Sequence, residues 1–477
     1  MRENGSNSSP VADVLLVLDR DSAEPLHRQI AASIRDDIRE GRLRRGSALP
    51  PTRTLAAGLD VSRGVVVEAY QQLRAEGYLS SRSGGYTEVA VDQAGAPPVP
   101  GPPSVPGSSA EPRLSFRYGR ADPAQFPRAV WLRSVHRVLT DAPTERFGYP
   151  SGQGTPELRE ALADYLNRVR GTAASARNIV ICNGFAQGIA LLIHVLAARG
   201  LRRLAVEDPS SADDLRDVAA AARVDLVPVP VGPGGIRAGL LDEAGADAVI
   251  VTPSHQWPTG AVLGPDGRAA LLEWAKRRGA LIVEDDYDAE FRYDRAPVGA
   301  LHGLAPDQVV YAGTASKTLA PGLRLGWLVL PGHLVEPVAA AKIAADRGSP
   351  VIDQLTFADF LARGEFDRHL RRMRPVYRRR RDVLLAALAQ HLPDLRTAGI
   401  SAGFHLVAWL PPDLDEEAVV AAARRAGVGV YGLAPYRMVP GPPALLFGYA
   451  GLNEPAIAEG IGLLARAVAE VRGKSQG

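Results

Sequence analysis

The stretch TASKTLAPGLRLGW, residues 314–327, decides how the larger part of this chain is interpreted. The chain has 55 lysines and arginines together, yet only Lys276, Lys317, Lys342 and Lys474 are lysines. A lysine amine can lose its proton and bond to an aldehyde carbon as a Schiff base, whereas a guanidinium stays protonated. Lys317 is therefore either an ordinary surface lysine or a residue kept for that chemistry.

The residues around Lys317 favour the chemical interpretation. Thr314 and Ser316 supply hydroxyl groups, and Arg324 supplies a guanidinium that can bind a phosphate through two hydrogen bonds. A Pro-Gly pair between Lys317 and Arg324 turns the chain, so that the arginine can return towards the lysine. The stretch therefore predicts a site for a phosphorylated aldehyde.

Three other segments are expected to place polar groups at strand ends. The run ALIVEDD, residues 280–286, ends in three acids that are directly followed by Tyr287, and a carboxylate there could keep a pyridine nitrogen protonated. Tyr287, two residues after Asp285, lies on the same side of an extended chain as that acid and could reach a ring oxygen. The turn CNGFAQ, residues 182–187, opens a helix whose N–H groups can bind a phosphate, and the loop SHQWPTG, residues 254–260, supplies further donors. The alternative for the acids is simple solvation at a strand end.

The same segments predict the fold of the larger part. Five short apolar runs end in polar turns and are each followed by helix-like sequence: RNIVICNG, RRLAVED, DAVIVTPS, ALIVEDD and QVVYAGT. This alternation is typical of an α/β unit, a mostly parallel sheet with helices on both faces. Ligands bind beyond the carboxyl ends of such strands, where the polar residues lie.

The first ninety residues have a different pattern. An apolar residue at every fourth position predicts an amphipathic helix over residues 26–40. Pro51 opens a second short helix, and Ser62 is expected to cap a third helix that ends before Gly77. A hairpin with Gly84-Gly85 in its turn follows. Three helices and a hairpin predict a winged helix-turn-helix, an α+β fold.

The charge of this region fits contact with nucleic acid. Residues 42–82 contain seven arginines and three acids, a local net charge of +4, whereas the whole chain carries only +2. Arg63 lies at the start of the third helix, where recognition helices meet base edges. The alternative is a small helical interaction domain with a solvated charged face.

A segment rich in Pro, Gly and Ser separates the two parts. Residues 93–112, QAGAPPVPGPPSVPGSSAEP, cannot bury a core and favour extended backbone. We therefore predict a DNA-binding domain over residues 24–91, a linker over residues 92–112 and an α/β domain over residues 113–473.

Both parts resemble known families. The stretch LPPTRTLAAGLDVSRGVVVEAYQQLRAEGYL, residues 49–79, resembles the GntR family of winged-helix repressors. The combination of TPSHQWPTG, VEDDYDAEF and GTASKTLAPGLRLGW makes residues 113–470 similar to fold-type I aminotransferases. A GntR-like domain, a linker and an aminotransferase-like domain together resemble the MocR family of transcriptional regulators.

The resemblance implies pyridoxal 5′-phosphate as the cofactor. It implies a Schiff base at Lys317, contact of Asp285 with the pyridine nitrogen and contact of Tyr287 with the phenolic oxygen. Trp257 stands where aminotransferases usually carry asparagine, so the second contact to that oxygen would fall to His255 or Gln256. Ser211 stands near where many relatives stack an aromatic ring on the cofactor. The implied phosphate ligands are Gly184, Phe185, Thr314, Ser316 and Arg324.

For the first domain the resemblance implies contact with double-stranded promoter DNA. Arg53, Ser62 and Arg63 would contact phosphates or bases, and Gly84 of the wing would enter the minor groove. The family also implies a homodimer, in a head-to-tail arrangement in which each linker carries a winged helix over the partner.

Two functions remain open at this stage. The first is a regulator that binds pyridoxal phosphate and responds to that cofactor or to an amino compound, with control of vitamin B6 synthesis as one candidate role. The second is an active aminotransferase with a DNA-binding appendage. Leu446 stands where aminotransferases carry the arginine that binds the substrate carboxylate, although Arg437 lies nearby in sequence. This disfavours the enzyme.

Bulk properties limit the other classes. The single cysteine, Cys182, leaves no cysteine cluster for a metal, and no metal is expected. The polar start of the chain and the lack of a long apolar run predict a cytoplasmic protein without a membrane segment. Arg378 to Arg381 belong to an arginine-rich helix, which we expect Pro375 to break. The arginines form either a solvated, ion-paired helix face or a second DNA-contact surface.

Overall fold

The computed structural model describes residues 16, 18–81, 86–91, 112–119, 121–293, 299–399 and 401–475. The chain divides into two compact units, Met1–Ser109 and Ala110–Gly477. The division falls within the segment that the sequence predicts as a linker, most of which lies outside the described residues.

The first unit has three helices followed by an antiparallel pair of short strands. In chain order these are α1 Leu26–Arg39, α2 Thr52–Gly58, α3 Arg63–Ala75, β1 Leu79–Ser81 and β2 Thr87–Val89. The predicted winged helix-turn-helix is therefore confirmed in its element order, within one or two residues at each helix end.

The isoleucines at every fourth position of α1 form the core of this unit, because Ile30, Ile34 and Ile38 are all buried against α3. Ser62 occupies the N-cap position of α3, but its side chain accepts no capping hydrogen bond. The predicted N-cap residue is therefore confirmed, without a side-chain hydrogen bond to the helix. Gly84 and Gly85 of the predicted wing lie outside the described residues.

The second unit contains ten helices among the residues described. They are α4 Arg128–Asp141, α5 Pro156–Arg170, α6 Phe185–Ala198, α7 Asp213–Ala221, α8 Pro265–Arg278, α9 Gly332–Asp346, α10 Val351–Ala362, α11 Glu365–His391, α12 Glu416–Arg425 and α13 Glu454–Ser475.

Eight strands of this unit form one large sheet. They are β4 Ile179–Cys182, β5 Arg203–Asp208, β6 Asp225–Gly232, β7 Gly235–Ile236, β8 Ala248–Val251, β9 Leu281–Asp285, β10 Val309–Thr314 and β11 Gly326–Val329. Their order across the sheet is β4-β11-β10-β9-β8-β5-β6-β7. Only β7 and β11 run against the others. All five predicted strands belong to this sheet, whereas β6, β7 and β11 were not predicted.

The sheet is covered on both faces, as the sequence predicts for an α/β unit. Alternate residues of β8 enter different cores, because Ala248 and Ile250 pack in one hydrophobic cluster and Val249 and Val251 in another. Such alternation places helices on both sides of a parallel sheet. Because most strands of the sheet run in the same direction, the polar residues after them lie at one edge.

The remaining strands lie outside the large sheet. They are β3 Leu114–Ser115, β12 Arg396–Ala398, β13 His405–Trp409, β14 Val428–Gly429, β15 Tyr431–Gly432 and β16 Ala444–Gly448. The order β12-β13-β16-β15 makes a second, antiparallel sheet, in which Leu446 pairs with Val407 and Tyr431. The small pair β14 and β3 is parallel.

Helix α11 corrects one sequence prediction. Pro375 does not break the helix but lies inside it, and the helix continues to His391. Proline removes one backbone hydrogen bond, but Met373 and Tyr377 on either side of it are buried in the core. Tertiary packing therefore holds the helix through the proline. None of the helices over the described residues is long and apolar enough to cross a membrane.

Candidate functional site

Lys317 lies in the turn that follows β10, at the carboxyl edge of the large sheet. It is half-buried, and its ammonium group donates a hydrogen bond to the carbonyl oxygen of Gly119. Burial lowers the pKa of the Lys317 ammonium, and the nearby carboxylates of Asp285 and Asp288 partly offset this. A larger share of neutral amine is therefore available for reaction with an aldehyde than on a surface lysine.

The three consecutive acids at the end of β9 have different partners. Glu284 accepts hydrogen bonds from the backbone N–H of Leu301 at 3.0 Å and of His302 at 3.1 Å. Asp286 accepts from Arg170 Nε at 2.7 Å. Asp285, on the opposite face of the strand, lines a cleft. Alternation along the strand thus isolates one acid for a ligand.

The electrostatic surroundings of Asp285 suit a hydrogen bond to a cationic ring nitrogen. Burial raises the pKa of its carboxyl to about 8, although Lys317 lowers it. A protonated pyridine nitrogen would stabilise the carboxylate form and would itself be stabilised by it. This is what the sequence predicts for the residue.

The start of α6 faces the guanidinium of Arg324. Gly184, the N-cap residue, has a φ of 82°, and a Cβ atom there would lie 2.9 Å from a terminal nitrogen of Arg324. Arg324 Nη2 donates to the carbonyl oxygen of Asn183 at 3.0 Å. The first N–H groups of a helix attract anions. Helix start and arginine together form a cradle that any side chain at residue 184 would obstruct.

The hydroxyl groups of Ser316 and Thr314 differ in their availability. Ser316 Oγ is buried and has no hydrogen-bond partner among the residues that the structure describes. Thr314 Oγ1 donates to the carbonyl oxygen of Leu325 at 3.1 Å and accepts from the N–H of Ser316 at 3.1 Å. A buried hydroxyl without a partner costs free energy unless a ligand satisfies it. The residues present therefore fit a phosphate group.

Tyr287, His255 and Gln256 lie beside this cradle with most of their polar atoms engaged. Tyr287 donates its phenolic hydrogen to the carbonyl oxygen of His255 at 3.0 Å. His255 Nδ1 lies 2.8 Å from a carboxylate oxygen of Asp288. Gln256 Nε2 donates to the carbonyl oxygen of Pro209 at 2.8 Å. The fold thus joins Tyr287, His255 and Asp288 in one buried network, whereas the side chain of Gln256 is bound to other residues.

His405 joins this network from the second sheet. One imidazole nitrogen each of His255 and His405 and a carboxylate oxygen of Asp288, atoms of the kind that bind metal ions, lie within 4.8 Å of one another. His405 Nε2 lies 3.1 Å from the carbonyl oxygen of Pro258, and burial lowers the pKa of its imidazole well below the usual value. The sequence did not reveal this grouping, because His405 is far from His255 along the chain.

Sequence reasoning also missed an aromatic cluster. The cleft beside Asp285 is lined by Phe185, Ser211 and Trp257. The ring of Trp257 is 5.0 Å from that of Tyr118 and 5.8 Å from that of Tyr436, measured between centroids. Trp257 could be singled out from the sequence, because it stands where aminotransferases usually carry asparagine. The two tyrosines could not.

The region around Leu446 is apolar. Leu446 is fully buried with Val407, Leu433 and Ala444, and partly buried aromatic rings that include Tyr118 pack against this group. We call these four residues the Leu446 cluster. Arg437, the alternative cation, donates to the carbonyl oxygen of Pro442 in its own loop at 3.0 Å.

The arginine-rich part of α11 is largely engaged within the unit. Arg378 donates to the carbonyl oxygen of Tyr293 at 2.7 Å, and Arg380 is buried with Asp122 at 3.1 Å. Arg381 lies over the ring of Tyr293, 4.6 Å from its centroid. These contacts favour the structural interpretation of the cluster. A second DNA contact by Arg378 to Arg381 stays a prediction.

In the first unit, Arg53, Ser62 and Arg63 are exposed. Arg53 and Arg63 line one cleft of about 400 Å³ between α2, α3 and β2, together with Arg74 and Tyr86. Arg63 Nε lies 3.4 Å from Thr52 Oγ1, which ties the two helices together at this surface. The fold thus gathers the predicted DNA contacts on one face, except Gly84, which lies outside the described residues.

Comparisons with known proteins match both units. The family model "Aminotransferase class I and II" matches residues 121–461, and "Bacterial regulatory proteins, gntR family" matches residues 26–89.

Two named transcriptional regulators match nearly the whole chain. A probable rhizopine catabolism regulatory protein MocR of Rhizobium meliloti is 34% identical over 94% of this chain and 95% of its own. The pyridoxine biosynthesis transcriptional regulator PdxR of Corynebacterium glutamicum is 31% identical over 93% of this chain and 96% of its own.

Among solved structures, the α-aminoadipate aminotransferase LysN of Thermus thermophilus, complexed with N-(5′-phosphopyridoxyl)-L-leucine, is 26% identical with a TM-score of 0.68. The match covers 76% of this chain and 93% of that one.

Proposed function

We propose a role in cofactor-dependent control of transcription for this protein, which belongs to the MocR-type regulators, gntR-family proteins with a class I and II aminotransferase domain. It is a transcriptional regulator that binds pyridoxal phosphate. The observation that carries the cofactor is Lys317, half-buried at the sheet edge with a lowered ammonium pKa. When bound, pyridoxal phosphate supplies an aldehyde that reacts reversibly with amines.

Each residue at the sheet edge has a proposed task. Lys317 binds the aldehyde carbon, and Asp285 holds a proton between its carboxylate and the ring nitrogen. The N–H groups of Gly184 and Phe185 and the Arg324 guanidinium bind the phosphate, together with the hydroxyl of Ser316. The Thr314 hydroxyl accepts a hydrogen bond from the N–H of Ser316. It thereby orients Ser316 and contributes to phosphate binding indirectly.

Of the three predicted ring-oxygen ligands, Tyr287 is the strongest candidate. Tyr287 and His255 lie in contact, with 3.2 Å between the Tyr287 hydroxyl oxygen and His255 Nδ1. Gln256 Nε2 is bound to backbone carbonyls, so its amide is the weaker candidate. We infer that Tyr287 contacts the phenolic oxygen and that His255 and Asp288 hold the tyrosine hydroxyl in position.

The first unit binds promoter DNA through the face that carries Arg53 and Arg63. Replacement of Arg63 by Ala should weaken specific binding by about 1–3 kcal/mol if the guanidinium contacts a base. Arg28→Ala, an exposed arginine on α1, is the matched control. Gel shifts with the region upstream of the protein's own gene measure both. Equal affinities for the two variants would remove Arg63 from the interface.

We further propose that the protein acts as a homodimer. The second unit exposes several large apolar side chains, with exposed fractions of 66% for Leu132, 91% for Tyr149 and 40% for Ile352. Helices α4 and α10, which carry Leu132 and Ile352, pack together, and Tyr149 lines a groove with Val351 at the start of α10. Apolar patches of this kind mark protein contacts.

A dimer brings two winged helices to two half-sites of an operator. The family resemblance supports a head-to-tail arrangement of the two copies, with each linker carrying a winged helix over the partner. Sedimentation of Tyr149→Ser against wild type tests the contact surface. Full-affinity binding of a monomer to a single half-site would contradict the dimer.

We propose that pyridoxal phosphate itself is the signal, as in a regulator of vitamin B6 synthesis. Cofactor-free and cofactor-bound protein should then differ in DNA affinity with no amino acid present. If both forms bind alike, and γ-aminobutyrate or taurine is needed for any change, the signal is an amino compound instead.

The second candidate function, aminotransferase activity, is disfavoured by the Leu446 cluster. A carboxylate buried against leucine without a cation would cost several kcal/mol, roughly. Arg437 is held in its own loop by Pro442. We expect weak or absent transamination of common α-amino acids, measured by spectral conversion of the bound cofactor. Rapid conversion would restore the enzyme as the leading function.

A further inference from the structure

Lys342 is the second unusual lysine of this arginine-rich chain. It lies in the last turns of α9 and is fully buried, with 0% of its surface exposed. Its ammonium group donates to the carboxylate of Asp346, one helical turn further on. A buried ion pair gains little over well-packed apolar residues, because desolvation of both charges offsets their attraction. The stability that the pair of Lys342 and Asp346 contributes therefore does not by itself explain why a lysine is buried here.

The other contacts of Asp346 show where the pair acts. Its carboxylate accepts hydrogen bonds from Asn183 Nδ2 at 3.0 Å, Gln187 Nε2 at 2.6 Å and the N–H of Gly348 at 2.8 Å. Burial alone would raise the pKa of the Asp346 carboxyl, but the hydrogen bonds from Lys342, Gln187 and Gly348 hold it below its usual value. The group therefore stays an acceptor for all its partners.

Two of these partners belong to the start of α6. Asn183 directly precedes Gly184, and its own N–H donates to Gln187 Oε1 at 2.8 Å. The Asn183 carbonyl oxygen accepts from Arg324 Nη2 at 3.0 Å. The side chain, the N–H and the carbonyl of Asn183 are thus all held, and the guanidinium of Arg324 is held through it.

We infer that Lys342 and Asp346 are positioning residues for the phosphate of the cofactor. They fix the backbone at Asn183 so that the helix N–H groups and the Arg324 guanidinium converge on one point. A lysine suits this place because its ammonium is compact, whereas a planar guanidinium needs more space. The inference rests on the proposed phosphate cradle.

The test compares two aldehydes that differ only in the phosphate. Lys342→Met removes the ammonium and keeps an unbranched apolar chain, and Lys276→Met, at an exposed lysine on α8, is the matched control. Dissociation constants for pyridoxal phosphate and for pyridoxal are read from the visible absorption band. We expect Lys342→Met to weaken the binding of pyridoxal phosphate by about tenfold, which corresponds to the loss of roughly one hydrogen bond. Its affinity for pyridoxal should stay unchanged.

Asp346→Asn is the second variant, in case the methionine variant does not fold. It keeps the shape of the side chain but loses the charge, and it should show the same phosphate-specific loss. Equal changes for both aldehydes, or no change for either, would overturn the positioning role. If wild type itself develops no band with pyridoxal phosphate, the proposed cofactor fails first, and the inference fails with it.

Discussion

The cofactor end of the site and the Leu446 cluster, both in the second unit, offer a ligand opposite surroundings. Around Lys317 the chain gathers a carboxylate, a guanidinium and the unpartnered hydroxyl of Ser316. Around Leu446 it gathers buried apolar side chains. The two regions are connected, because Tyr118 packs on the Leu446 cluster and against Trp257, which lines the cleft at Asp285.

This difference separates holding a cofactor from processing an amino acid. Charged and polar groups surround Lys317, whereas Leu446, which stands where aminotransferases carry the carboxylate-binding arginine, is buried among apolar side chains. A protein of this kind can be loaded with its cofactor and still convert common amino acids poorly. We therefore expect substitutions in the two regions to affect different measurements.

The largest effect should come from Lys317→Ala. The variant should lose the visible band of bound pyridoxal phosphate entirely, because alanine cannot bond to an aldehyde. Lys276→Ala, exposed on α8, should keep the band, and circular dichroism should show both variants folded. An unchanged spectrum in Lys317→Ala would place the reactive amine elsewhere.

Leu446→Ala should act on stability alone. Removing a fully buried leucine leaves a cavity and should lower the free energy of unfolding by about 2–5 kcal/mol. Leu304→Ala, at a leucine that is 67% exposed, should change it by only about 0.5 kcal/mol. Urea unfolding measures both. The affinity for pyridoxal phosphate should not change, and a large loss of affinity would show that the Leu446 cluster belongs to the cofactor site.

Arg324→Gln should act on the cofactor alone. Loss of a charge-assisted contact to the phosphate should weaken binding by about 1.5–3 kcal/mol, a factor of roughly 10–100. Arg223 is a matched control, since it is exposed and, like Arg324, has a positive φ, 56° against 50°. Titration of Arg324→Gln and Arg223→Gln gives the comparison. Equal affinities would remove Arg324 from the phosphate cradle.

The smallest effect should be the pH dependence of Asp285→Asn without cofactor. The folded pKa of Asp285, about 8, lies above its ordinary value of 3.8. The folded state therefore binds the proton more tightly, and this stabilisation is lost as pH rises from about 4 through about 8. Asparagine does not titrate, so the melting temperature of the variant relative to that of wild type should rise steadily from pH 5 to about pH 8 and then level off. The exposed Asp164→Asn should show no such trend.

Several parts of the structure could be predicted from the sequence. The five apolar runs and their polar ends gave the strands and the edge at which Lys317, Asp285 and Arg324 meet, because parallel strands bring their carboxyl ends together. The first unit was predicted from its apolar period and its glycines. The resemblance of these segments to fold-type I aminotransferases then implied the cofactor.

The errors have local causes. Pro375 was expected to break α11, but propensity is overridden where buried neighbours hold the helix. Strand β6 was missed because it contains two prolines and β7 because it has only two residues, whereas the apolar run of β11 was taken as part of the turn that carries Arg324.

The sequence by itself determined the two units, the helices and hairpin of the first, five strands of the large sheet and the lysine available for an aldehyde, because these follow from periodicity, composition and local chemistry. Only the tertiary structure decided which of three adjacent acids faces the cleft and that Trp257 meets Tyr118 and Tyr436. Only it joined Lys342 and Asp346 to Asn183. The physical reason is that hydrogen bonds and packing between residues distant along the chain depend on the folded backbone, which no local pattern specifies.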